Sequence, residues 1–155
     1  MTYRISGLAP ETFAHLVELD NNTLAAKGAV RVTANAKPGY PCRITLEDAE
    51  PGETLILLNH VSHDVATPYR SSYAIYVREG AAKAAHYEDK IPPVFEGRPL
   101  GLRAFDADGM LKNAALALPG QADAKIRELF VDDQIAYIHA HNAAHGCFAA
   151  KVERS

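Results

Sequence analysis

Two histidines stand one residue apart in Ile138-His139-Ala140-His141-Asn142, and this short stretch carries the strongest chemical signal of the chain. Alternate residues of a β-strand face the same way, so a strand here turns both imidazoles to one side, with Cα atoms roughly 6–7 Å apart. At that spacing both rings can reach one divalent metal ion such as zinc, or one ring can act as a base while the other binds an anionic group. A metal would need a third ligand from elsewhere. His63 is the first choice, with His60 and Glu79 also placed near predicted strand ends. Asn142 would orient an imidazole by hydrogen bonding. The plainer reading is a pair of rings hydrogen-bonded inside a partly buried sheet.

The thiols and guanidinium groups give a second set of candidates. Cys147 comes soon after His141 and Asn142, and a reactive thiol needs such a base or cation beside it. A four-residue turn pairing His141 with Gly146 sets His139 opposite Phe148 and sends Cys147 to the other face, while a turn of odd length reverses this. Cys42 sits between Pro41 and Arg43. Either cysteine also reads as a small buried apolar residue. Arg43, Arg70 and Arg78 fall on or beside predicted strands, where guanidinium groups pair with carboxylates or hold oxyanions. Arg70 and Arg78 share one side of their strand, and Tyr69 and Glu79 take the other. Glu47, Asp48, Glu53 and Glu79 are the carboxylates at hand for ordinary ion pairs.

The elements that must position these groups are short. Pro10 opens a helical pattern with Phe13, Leu16 and Val17 on one face, ended by Asp20-Asn21-Asn22. Strands are predicted at 30–34, 42–46, 54–61 and 69–78, with 42–46 and 54–61 paired as a hairpin around Glu50-Pro51-Gly52. The Ala/Lys composition of 81–87 predicts a short helix, and Pro92-Pro93 forces an extended break after it. Strands at 100–105 and 110–117 flank the turn Asp106-Ala107-Asp108-Gly109. A helix over 121–131 carries Ile126, Leu129 and Phe130 on one face. Strands at 135–141 and 146–152 close the chain. Short connections and the lack of alternating βαβ units favour one α+β domain over 1–155, a mostly antiparallel sheet with two or three helices packed on it.

Composition bounds the partners. Hydrophobic residues make up 48% and charged residues 23% of 155, as in a globular chain with one core. The net charge of −3 gives no footprint for nucleic acid. The longest strongly apolar run, Leu55–Leu58, is far too short to cross a membrane, and Arg4 and Ser6 interrupt any signal-peptide pattern. A soluble, cytoplasmic protein with reduced thiols is therefore expected. Motifs for nucleotide binding, for a serine nucleophile elbow and for a helical zinc site are absent.

Several strings together resemble a bacterial family known only as domain of unknown function 1203. They are Pro38-Gly39-Tyr40-Pro41-Cys42-Arg43, Pro68-Tyr69-Arg70-Ser71, Tyr76-Val77-Arg78-Glu79, Ile138-His139-Ala140-His141-Asn142-Ala143 and Gly146-Cys147-Phe148. The resemblance runs in order from about Phe13 to Arg154. It implies no activity, but it groups Arg, His, Asn, Tyr and Cys residues that are distant in sequence into one expected pocket. His63 falls within its pattern and His60 outside.

Three functional expectations result. The first is a small-molecule site for an anionic ligand, catalytic or not, where His139, His141 and Asn142 meet Arg43, Tyr69 and Arg70. The second is a non-enzymatic module in which the polar cluster is structural and a sheet edge makes a homodimer. The third is a thiol-dependent enzyme using Cys42 or Cys147.

Overall fold

The computed structural model describes residues 1–155 and contains nine strands in two antiparallel sheets, with three short α-helices. This is the α+β, antiparallel architecture expected. In chain order the strands are β1 (Tyr3–Ser6), β2 (Val30–Thr33), β3 (Thr54–His63), β4 (Ser71–Arg78), β5 (His86–Glu88), β6 (Leu100–Phe105), β7 (Leu111–Ala117), β8 (Tyr137–Asn142) and β9 (Phe148–Arg154). One sheet has the order β5-β1-β9-β8-β6-β7 and the other β2-β3-β4.

The larger sheet is a middle layer. Leu100, Leu102 and Ala104 of β6, Ile138 and Ala140 of β8, and Ala150 and Val152 of β9 share its outer face. There they pack under Ile126 and Leu129 of a helix, Ala122–Leu129, whose predicted apolar face is the one buried. The opposite face carries Phe105, Tyr137, His139, His141 and Phe148 and meets the three-stranded sheet. In that smaller sheet Ile56 pairs with Val77 and Leu58 with Ile75, forming an apolar cluster with Phe148 and with Phe13, Leu16 and Leu24.

Four local expectations are corrected. The helix from Pro10 is a 3-10 turn (Pro10–Thr12) followed by α1 (Ala14–Val17), and Asp20 ends nothing: its side chain accepts the Thr23 N–H at 2.7 Å and caps a new helix, α2 (Asn21–Ala26). The helix Ala122–Leu129 is thus α3. Residues 42–46 form no strand and no hairpin with β3. They fold as turns around a single parallel bridge from Cys42 to Tyr76, with Leu46 N–H donating back to the Cys42 carbonyl and Cys42 N–H to the Glu47 carbonyl, so the backbone groups a hairpin with β3 would need are used locally. The helix over 81–87 is absent: Ala85 spends its N–H on the Ile44 carbonyl and its carbonyl on Gly7, and His86–Glu88 pair with the open edge of β1. Finally, β8 and β9 are offset from the expected register, with His141 opposite Phe148 and His139 opposite Lys151 across a bulge after Ala140. β1 escaped sequence reading, because four residues with two buried apolar side chains, Tyr3 and Ile5, give too short a pattern.

Candidate functional site

The two-residue repeat does turn His139 and His141 to one face, but that face is the seam between the sheets. His139 is 3% and His141 6% exposed. The His139 ring lies 4.9 Å from His63, 5.0 Å from Phe148 and 5.5 Å from Phe105, and Tyr73 of β4 packs 4.8 Å from His141. His63 arrives through a bulge between Val61 and His63 of β3, which breaks the alternation and turns its ring inward. Its Nδ1 lies 2.8 Å from the Tyr69 carbonyl, which can only accept, so Nδ1–H donates; Nε2 then accepts from the Tyr137 hydroxyl at 2.6 Å. His141 Nδ1 likewise donates to the Gly146 carbonyl at 3.0 Å. Burial, reinforced by the neighbouring His63, His141, Lys151 and Arg103, pushes His139 down to about 3. Burial also lowers His141 to about 4, against the opposing pull of the Gly146 carbonyl.

These contacts revise the roles expected of the histidines. Rings that stay uncharged down to such pH values are poor bases at neutrality and do not hold anions by charge. The metal expectation for His139, His141 and His63 gains no support from the geometry. No set of three His, Cys, Asp or Glu side chains is placed to hold an ion, and both nitrogens of His63 already have protein partners.

The polar groups that border a cavity lie one residue further on. Asn142 and Cys147, at the turn between β8 and β9, line a pocket of about 570 Å³ together with Arg43, Arg98, the 38–41 segment and the edge of β4. Asn142 N–H bonds to the Cys147 carbonyl and Gly146 N–H to the Asn142 carbonyl, which closes the turn and presents both side chains to the cavity. The Cys147 Sγ accepts from Asn142 Nδ2 at 3.3 Å and from Arg43 Nη2 at 3.4 Å. Arg43 is 1% exposed, and its Nε and Nη1 have no partner; the buried Asn142 Oδ1 has none either. Burial pulls the Arg43 guanidinium below its ordinary value, with the Cys147 sulfur opposing. An arginine nevertheless stays protonated at any physiological pH, so a positive charge faces this cavity.

The family model for "Protein of unknown function (DUF1203)" matches residues 39–154. The chain belongs to that family. No curated protein and no solved structure matches it. Arg43, Arg98, Asn142 and Cys147 all lie within the DUF1203 match, whereas β1, both first helices and β2 precede it.

The other expected site residues of this DUF1203 chain are elsewhere. Arg70 is exposed and pairs with exposed Asp64 at 3.2 Å. Tyr69 supplies its carbonyl to His63 and packs its ring on Phe105. Arg78 is paired with Glu53 at 3.1 Å, and Glu79 with Arg31. Cys42 is wholly buried in the apolar cluster of the small sheet, its sulfur accepting the Arg78 backbone N–H. His60 packs edge-on against Phe13, away from the pocket. Sequence reading missed Arg98, which donates to both Asp48 oxygens at 2.7 and 2.9 Å. Asp48 also accepts the Gly39 N–H. Burial pushes the Asp48 carboxyl up, yet the bonds from Arg98 and Gly39 outweigh it and leave the group below its ordinary value. Nothing in Gly97-Arg98-Pro99 marks it in sequence, since a loop arginine declares itself only through the partner it meets.

Proposed function

We propose that the chain binds a small molecule through an anionic group, carboxylate or phosphate, held by Arg43 in the pocket between the 38–43 loop, the edge of β4 and the β8–β9 turn. The observation that carries this reading is the unpaired state of Arg43. The neighbouring guanidiniums of Arg31, Arg78 and Arg98 each have a carboxylate, while Arg43 has only a sulfur. A buried N–H without an acceptor costs on the order of 1–3 kcal/mol, more when the group is charged, so proteins seldom leave two on one side chain. An anion supplies both the missing acceptors and the missing charge. The cavity volume suits a small ligand, and Asn142 Oδ1 offers an acceptor for a donor group on the same molecule.

Titration of the isotopically labelled protein with inorganic phosphate and with acetate tests the reading by NMR. Saturable shifts are expected at the Arg43 Nε–H, at the Asn142 side-chain amide and along 143–147, and Arg43→Lys is expected to weaken them about tenfold, the worth of one charge-assisted hydrogen bond. Absence of any saturable shift in that segment with either anion would remove the reading.

A further inference from the structure

We propose that Cys147 Sγ is a nucleophile, and that its substrates are small electrophiles bearing a carboxylate that Arg43 holds beside it. The inference rests on the anion-binding reading above and adds to it the reacting atom and the class of substrate. Of the two thiols, only Cys147 lines the pocket and is partly open to it. Its sulfur accepts two N–H groups, from Arg43 and Asn142, an arrangement suited to negative charge on sulfur. The same guanidinium that touches the sulfur through Nη2 keeps Nε and Nη1 free, so one rigid, planar group addresses the thiol and a second acceptor together. A carboxylate oxygen on that guanidinium sits at hydrogen-bond distance, about 3 Å from nitrogen, which leaves the carbon next to the carboxylate close to the sulfur.

The step is a substitution at carbon. The thiol proton passes to solvent water, the sulfur lone pair forms an S–C bond, and the bond from that carbon to its leaving group breaks with the electron pair departing on the leaving group. Asn142 Nδ2 and Arg43 Nη2 hold the sulfur through the approach.

Iodoacetate and iodoacetamide separate this chemistry from ordinary thiol reactivity, because they transfer nearly the same group and differ in the carboxylate. With the intact protein at neutral pH, mass spectrometry is expected to find carboxymethylation at Cys147 and none at Cys42. The iodoacetate-to-iodoacetamide rate ratio at Cys147 should exceed that of glutathione about tenfold, rates should saturate in iodoacetate, and acetate should compete. Arg43→Gln should return the ratio to the glutathione value; if that variant does not fold, saturation and competition by acetate in the native protein carry the same decision. A glutathione-like ratio without saturation, or an inert Cys147, overturns the proposal. If Cys147 is inert while phosphate or acetate still shifts the 143–147 signals, the nucleophile falls and the binding reading stands; if those shifts are missing too, both fall.

Discussion

Burial acts differently on a histidine and on an arginine, and this separates the two sets of residues that looked like one site. An imidazole taken out of water sheds its proton and becomes a half-apolar ring, as His139 and His141 have done among Phe105, Tyr73 and Phe148. A guanidinium has no such escape, so Arg43 must find an acceptor. The histidines should make stability depend on pH. A free imidazole titrates near 6.5 and the folded rings near 3 and 4. Above pH 6.5 neither state binds these protons; below it the unfolded chain takes them up and the folded chain does not. Stability should therefore fall from about pH 6.5 toward 4, by roughly 1.4 kcal/mol per pH unit for each ring. Urea unfolding between pH 7 and 5 measures this slope, and His139→Phe should lower it by one ring's share. An unchanged slope in the variant would show that the ring is not held neutral. The pairing of 139 with 141 was legible because strand alternation is local. That the face was a seam was not, since Phe105, Tyr73 and His63 come from three other strands. Arg43 was legible as a candidate, but its solitude depends on which guanidiniums capture Asp48, Glu53 and Glu79.

Among the elements, the β6–β7 hairpin and α3 were legible from local pattern, whereas β5 and the 42–46 turns depend on distant partners. Asp106 accepts the N–H groups of Asp108 and Met110, so the β6–β7 hairpin is written in its own turn. The helix α3 was readable from its apolar face. By contrast, β5 exists because β1 offers a free edge, and the 42–46 turns exist because β4, the Gly7-Leu8 segment that follows β1, and residue 85 converge on them. Gly7 is the tightest point of that convergence. Its N–H donates to the Ala85 carbonyl, Leu8 N–H donates to the Arg43 carbonyl, and a Cβ at position 7 would stand 1.9 Å from the Ile44 carbonyl oxygen. Gly7→Ala should therefore cost roughly 2–4 kcal/mol in urea unfolding and blunt the response of the Arg43 Nε–H to phosphate, because the strip bearing Arg43 must move. Native stability together with a native phosphate response would show that the strip is free to shift and that this contact does not position the site.

For the whole molecule, the two sheets share the histidine seam, and Phe148 of the large sheet belongs to the apolar cluster of the small one. The layers should consequently unfold together. The chain has seven tyrosines and no tryptophan, and Tyr73 and Tyr137 flank the seam, so tyrosine fluorescence reports on it directly. Its urea transition should superimpose on the far-ultraviolet circular dichroism transition, as two-state unfolding of one domain requires. An earlier tyrosine transition would mean that the small sheet separates first. No helix is long and apolar enough to cross a membrane. The carboxylate of Asp48 bonds both Gly39 and Arg98, two residues that line the pocket. The two loops that carry them are thus moored to a single acidic side chain, and removing that one group would untether both.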